Sequence, residues 1–113
     1  GEGGVVAHLG TNSFSVVEQK VREGDERFML ISDAFAYNVA KSIGAASVVL
    51  KGEVDAILLT GGIAYNTKLM EQIADMVKFI SDVKIFPGED EMSALAMNGL
   101  SVLNGDEIPL VYA

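Results

Sequence analysis

The 113-residue chain has no cysteine, no tryptophan and only two prolines. Without cysteine there is no disulfide framework, no thiolate zinc site and no cysteine nucleophile, a composition compatible with a reducing cytosol. Positive charge is also scarce: eight Lys and Arg stand against sixteen Asp and Glu, for a net charge of −8. A protein that grips a nucleic-acid backbone must supply many basic contacts, so a nucleic-acid partner is excluded. A single nucleotide is not, because backbone N–H groups, a helix N-terminus and Mg²⁺ can hold its phosphates. A long uninterrupted apolar run is missing too. The richest region, Phe28 to Leu50, is broken by Ser32, Asp33, Asn38, Lys41, Ser42 and Ser47, which a membrane span would not tolerate. No basic-plus-apolar stretch at the start reads as a signal peptide. The expectation is a soluble, cytoplasmic chain with no membrane partner.

What is present is core material. Half the residues are hydrophobic and 21% are charged, far from the signature of disorder, and the length suits one compact domain. The chain opens with glycines and a short β-type run, Val5 to Leu9. Thr11-Asn12-Ser13 offers an N-cap to a short helix ending near Glu23. Beyond the Gly24-Asp25 break, apolar residues recur at helical spacing through Phe28, Ile31, Phe35, Val39, Ile43, Ala46, Val49 and Leu50, predicting one long, largely buried helix over 25–51. Gly44 within it weakens the helix, and a close approach to the sheet is the reason expected for it. Gly52 stops the helix.

The run Ala56 to Leu59 is too short for a helix and reads as a strand buried on both faces, as in a parallel sheet. A helix follows, capped by Asn66 or Thr67, with Leu69, Ile73, Met76, Val77 and Ile80 facing inward. Val83 to Phe86 is a further strand, stopped by Pro87-Gly88. Glu89-Asp90-Glu91 then opens a last helix, Met92 to Leu103, closed by Asn104-Gly105 before an extended tail, Ile108 to Tyr112. Alternating strands and helices define an α/β layer with a mostly parallel sheet. Two or three strands against four helices leave apolar surface in want of more sheet, which points to a fragment.

Three segments carry possible chemistry. In Leu58-Leu59-Thr60-Gly61-Gly62-Ile63-Ala64-Tyr65-Asn66 a buried strand runs into paired glycines and a helix. Glycine permits close backbone approach to a ligand, and the helix start supplies free N–H groups at the carboxyl end of the sheet, where ligands of such folds bind. A tight turn with no ligand has the same pattern. Neither GxGxxG nor GxxxxGK[ST] is matched, and the acidic residue expected of a dinucleotide-binding domain is missing, which counts against that reading. Pro87-Gly88-Glu89-Asp90-Glu91 places carboxylates on the same side, where they suit either Mg²⁺ or ordinary helix capping. Gly1 to Gly4 with Leu9 to Ser13 suit either phosphate contact or turn chemistry. The one histidine, His8, lies in an apolar strand without a triad partner and reads as packed or edge material. The tyrosines and methionines read as core and interface, with Tyr65 beside the glycine pair placed to line a pocket.

VDAILLTGGIAYN, Val54 to Asn66, resembles the adenosine motif of the acetate and sugar kinase, Hsp70 and actin superfamily. GGVVAHLGTNS, DAFAYNVAKSIGAASVVLKG and PGEDEMSALAMNGLSVL resemble, in collinear order from Gly3 to Gly105, the C-terminal part of the butyrate kinases of the acetokinase family. The resemblance implies a partial actin-like (ribonuclease H-like) fold: one adenosine-side domain, residues 1–113, of a two-domain carboxylate kinase. Such enzymes transfer the γ-phosphoryl group of ATP to a short-chain carboxylate, giving an acyl phosphate and ADP, with Mg²⁺. By resemblance Thr60, Gly61, Gly62 and Ile63 lie against the adenosine with Asn66 beside them, and Glu91, with Asp90 next to it, serves Mg²⁺. Ala64-Tyr65 stand where acetate kinases have Gly-Glu.

The phosphate-holding glycine strand and catalytic arginine of the family have no counterpart here. Arg22 and Arg27 read as solvated surface. The expected partners are therefore the N-terminal domain of the same protein, butyrate or another short acid (acetate, propionate or a branched acid), and further copies in a homo-oligomer. The chain alone is expected to be catalytically silent. A non-enzymatic actin-like nucleotide-binding module is the other reading.

Overall fold

The first strand, β1 (Gly3–His8), is buried along its length and sits inside the sheet with a parallel neighbour on each side. A computed structural model of the chain describes residues 3–10, 14–88 and 100–104. After β1 come α1 (Ser15–Arg22), α2 (Glu26–Val49), β2 (Val54–Gly61), a single 3₁₀ turn (Gly62–Tyr65), α3 (Thr67–Val77), β3 (Val83–Pro87) and β4 (Leu100–Asn104). The strands form one four-stranded sheet in the order β3-β2-β1-β4, and every pair is parallel. The α/β class and the parallel sheet agree with the sequence reading and with part of an actin-like fold.

The sequence separates the two faces of the sheet by alternation. Val5, Ala7 and Leu9 of the first strand region and Ile57 and Leu59 of β2 join a single core with the helices. Val6 and Leu58, on the opposite face, are also buried, as expected of strands covered on both sides. Into the helix-side core α2 sends Phe35, Ala36, Val39, Ile43 and Ala46, and α3 sends Leu69, Met70, Ile73 and Val77. Phe14, just before α1, packs its ring 4.7 Å from that of Phe35 at a 43° tilt, a tilted aromatic contact of the favoured kind. This contact and Val17 pin the short α1 to the core.

Three expectations are corrected. Residues Leu100 to Asn104 pair with β1 from Gly4 to His8 as a strand, not as the end of a helix running from Met92. The β-branched and apolar run Leu-Ser-Val-Leu satisfies helical and strand patterns equally over so few residues, and the free edge of β1 decides for strand. The sheet thus has four strands where two or three were expected. The long helix is not largely buried: Leu30, Tyr37, Val48 and Val49 are exposed, because α2 is apolar on two faces and only one meets the core. Gly44, finally, makes no close approach to any described residue, since a Cβ there would meet none of them within 4 Å. The rest of the last helix, from Met92, and the tail Ile108 to Tyr112 lie outside the described residues.

The ends of α2 follow from local chemistry. Asp25 caps it, its carboxylate accepting from the Arg27 backbone N–H at 3.0 Å, while Lys51 and Gly52 both take positive φ to leave the helix. The Asp25 carboxyl is held below its ordinary value of 3.8, chiefly by the hydrogen bond from the Arg27 side chain. A carboxyl depressed in the folded state stabilises above the unfolded pKa and loses that contribution as pH falls through the folded value. Amide-exchange protection at the first turn of α2 should therefore hold from neutral pH to 3.8 and fall only below it. Asp25→Asn, which keeps a capping oxygen, should remove this pH dependence, and a parent chain whose protection already falls above pH 3.8, in step with a free carboxyl, would contradict the assignment.

Candidate functional site

The carboxyl end of β2 is shaped by one backbone contact. Gly61 has φ +99° and ψ 177°, a region open essentially to glycine alone. A Cβ at this position would collide with the Leu9 carbonyl oxygen and lie 2.7 Å from its carbonyl carbon. The two chains are drawn together there because the Leu9 N–H donates to the Thr60 carbonyl oxygen at 2.7 Å. On its other side the Gly61 carbonyl accepts from the Gly88 N–H at 2.7 Å, which holds the Pro87-Gly88 turn at the same end of the sheet. Gly88 has φ +69°, and a side chain on it would press against the Tyr65 ring, 2.6 Å from the hydroxyl oxygen.

The sequence then makes the 3₁₀ turn Gly62–Tyr65 before the helix begins, rather than passing straight from the glycines into α3. Asn66 ends this turn and caps α3, accepting from the Leu69 N–H at 3.1 Å. Its amide nitrogen meanwhile donates to the Glu18 carboxylate at 2.8 Å, so one side chain joins the turn, α3 and α1. This is the helix cap expected at that position, with a long-range tie that no local pattern announces.

Between these elements lies an open groove of about 660 Å³, lined by residues that include Glu18, Arg22, Gly62, Tyr65, Asn66 and Lys68. A second hollow of about 300 Å³ adjoins it, sharing Val21, Ser32, Asn66 and Lys68 and extending to Asp33 and Gln72. Gln72 donates to Asp33 at 3.0 Å across its floor, from α3 to α2. The groove offers an aromatic ring that is 70% exposed on Tyr65, two cations, a carboxylate and the start of α3, whose first N–H groups favour negative charge. That set suits a ligand with an aromatic or polar ring and an anionic part.

Of the residues singled out from the sequence, Gly62 and Asn66 line this groove. Thr60, Gly61 and Ile63 are buried and shape the turn from within. Glu91 and Asp90 lie outside the described residues, and among the described residues no group of three or more His, Cys, Asp or Glu side chains is placed to hold a metal. Arg27 is solvated as expected, and among the described residues its ion pair is with Asp25 at 3.4 Å. Arg22 is exposed too, donates to Gln19 at 2.9 Å and borders the groove. Glu18, Arg22 and Lys68 were not singled out from the sequence as groove residues, and two of them come from α1, which ends at Arg22, well before the glycines of β2. The periodicity of α1, with Val17 and Val21 inward, was the available signal that its other face looks elsewhere. No described helix is long and apolar enough to cross a membrane.

Parallel strands, helices packed against them and a double-glycine turn opening on a groove place the chain among α/β proteins of partial actin-like architecture. The particular family follows from comparison with known proteins: the acetokinase family profile matches residues 2–101, and the chain belongs to that family. It is 49% identical over 112 residues to "Probable butyrate kinase 2" of Caldanaerobacter subterraneus subsp. tengcongensis, covering 99% of this chain and 32% of that protein. It is 55% identical over 107 residues to "Butyrate kinase 1" of Clostridium acetobutylicum, covering 95% of this chain and 30% of that protein. The chain thus spans about a third of the length of the curated relatives it matches.

Two substitutions separate shape from capping. Gly61→Ala combines a forbidden backbone region with a backbone collision and should cost more than about 3 kcal/mol in denaturant unfolding, the upper end for a strained residue. Asn66→Ala removes a cap and should cost roughly 0.5–2 kcal/mol. A Gly61→Ala chain as stable as the parent would show that β1 and β2 do not approach in this way.

Proposed function

We propose that the groove takes the adenosine part of ATP or ADP, and that the chain is the C-terminal, adenosine-side domain of a carboxylate kinase. The observation that carries this reading is the groove's position: it opens at the carboxyl end of β2, on the turn from Gly61 to Asn66, where ligands of parallel α/β sheets bind. Family membership supports the same reading, since acetokinases in general use ATP and Mg²⁺. Thr60, Gly61 and Ile63 hold the turn in shape. Gly62 and Asn66 present its surface to the nucleoside, and the Tyr65 ring bounds one side. Arg22 and Lys68 counter the phosphate charge that enters with the nucleotide.

The reaction of the intact enzyme is transfer of the γ-phosphoryl group. The bond from phosphorus to the ADP oxygen breaks, and a bond to a carboxylate oxygen of the acid forms, giving ADP and an acyl phosphate. Such transfer depends on positioning and on charge stabilisation around the phosphoryl oxygens. This chain's share is to bind and orient the nucleotide. Glu91, with Asp90 beside it, is the proposed contact for Mg²⁺. Butyrate is the proposed acid, on the names of the two relatives. Acetate, propionate or a branched acid on the same frame is the alternative, and a cytoplasmic homo-oligomer is the proposed form of the whole protein.

Titrating the chain with ADP and Mg²⁺ tests the site. Backbone amide shifts should move at residues 60–66 and at Glu18, Arg22 and Lys68, and Lys68→Glu should weaken the binding several-fold at low salt. A flat titration on a well-dispersed spectrum overturns the adenosine reading. In the full-length enzyme, trapping acyl phosphate with hydroxylamine should favour butyrate over acetate; the chain alone should yield none.

A further inference from the structure

Asn66 and Glu18 together present one hydrogen-bonding edge to the groove. The Asn66 side chain is fixed at both ends of its amide: the oxygen accepts from the Leu69 N–H at 3.1 Å, and the nitrogen donates to the Glu18 carboxylate at 2.8 Å. Its backbone is held as well, the Asn66 N–H donating to the Ile63 carbonyl at 2.9 Å and the Asn66 carbonyl accepting from the Met70 N–H at 3.0 Å. Only one orientation of the amide fits. Turned over, its NH₂ would face the Leu69 N–H and its oxygen would face a carboxylate.

A primary amide carries two donor hydrogens, and one of them is spent on Glu18. Asn66 therefore shows the groove a donor. A carboxylate has acceptor sites for about four hydrogen bonds, so the bond to Asn66 leaves Glu18 able to accept more. Both residues are half-buried and line the groove. A fixed donor thus stands beside a fixed acceptor.

That order selects a ligand. The Glu18 carboxylate repels phosphate, whose place in the groove is beside Arg22, Lys68 and the start of α3, so the pair meets the nucleoside end. Adenine carries a 6-amino donor next to a ring-nitrogen acceptor, whereas a 6-oxopurine has a carbonyl oxygen in place of the amino group. We propose that Glu18 selects adenine among the purines by accepting from its 6-amino group, while Asn66 donates to the neighbouring ring nitrogen. This choice of base rests on the adenosine reading of the groove. Hypoxanthine or guanine, held in the same register by the shared sugar and phosphates, sets an oxygen against the carboxylate with no proton between them. A site that hydrogen-bonds a ligand N–H rejects the analogue that lacks it, because its own polar group is left unpaired.

Calorimetric binding of three nucleotides to the intact protein that carries this chain tests the assignment. ADP, inosine diphosphate and purine riboside diphosphate share sugar and phosphates and differ around C6. The parent should bind ADP at least about tenfold more tightly than inosine diphosphate. Purine riboside diphosphate, which lacks the amino group but sets no oxygen against Glu18, should fall between them. Glu18→Ala should bring the ADP-to-inosine affinity ratio close to one. Glu18→Gln should take that ratio lower still, since the glutamine oxygen accepts from Asn66 and its NH₂ turns a donor to the groove. The ratio cancels the general gain in nucleotide affinity that follows loss of a negative charge. A parent that binds ADP no better than the other two, as a contact from Glu18 to the ribose predicts, overturns the proposal and leaves the nucleotide reading standing. So does a glutamine variant whose ratio is no lower than that of the alanine variant. Where a variant fails to fold, the three parent affinities decide alone. A protein that binds none of the three overturns the nucleotide reading and the choice of base with it.

Discussion

The groove and the turn beneath it depend on how closely the ends of β1 and β2 can approach. The Leu9 N–H reaches the Thr60 carbonyl oxygen at 2.7 Å, and the backbone then continues through a residue that can have no side chain. Because Gly61 occupies a conformation reserved for glycine, its carbonyl turns to receive the Gly88 N–H, and the turn after β3 docks beside it. Tyr65 then settles over Gly88, and Asn66 is delivered to cap α3 and reach Glu18. One backbone approach of two strands thereby fixes four segments around a common hollow. The glycine pair works first as a geometric device, and any ligand contact is built on that geometry.

Much of the fold was legible because the patterns are strong. The helical spacing from Phe28 to Ala46 and the continuous run Ala56 to Leu59 each admit one reading; Asp25 and Asn66 mark boundaries by side-chain capping, and Gly52 by the positive φ that a residue without a side chain takes freely. What failed was of two kinds. Leu100 to Asn104 is too short for periodicity to separate helix from strand, and the deciding fact, an unpaired edge on β1, is a tertiary one. On α2, the density of apolar residues reads as burial of most of the helix, whereas Leu30, Tyr37, Val48 and Val49 are exposed. Composition and spacing do not say which of those residues meet the core and which face outward. The glycines and Asn66 of the groove could be found from their local pattern. Glu18 and Lys68 could not, since what makes them neighbours is the packing of α1 beside the turn.

Charge distribution around the groove clarifies an apparent conflict. A chain with net charge −8 has a poor overall field for an anionic ligand, yet Arg22, Lys68 and the start of α3 converge on one hollow. Local donors and a helix dipole act within a few ångströms, whereas the diffuse negative charge elsewhere is screened over about 10 Å at ordinary salt. Glu18 is the one carboxylate among the described residues that line that hollow, and its hydrogen bond to Asn66 spends part of its acceptor capacity on the protein itself.

The sheet order carries a consequence for how the chain reaches this state. β1 lies between two strands that arrive late: its partner in β2 begins about fifty positions on, and Gly4 pairs with Leu100, at the far end of the described chain. No two adjacent strands can close by a hairpin, so each ladder must wait for a long stretch of polypeptide to be searched and ordered. The helices can form from local contacts while the strands cannot. Folding is accordingly expected to be slow for the length of the chain, with α2 present early as a preformed rod and the glycine-dependent turn assembled among the last parts.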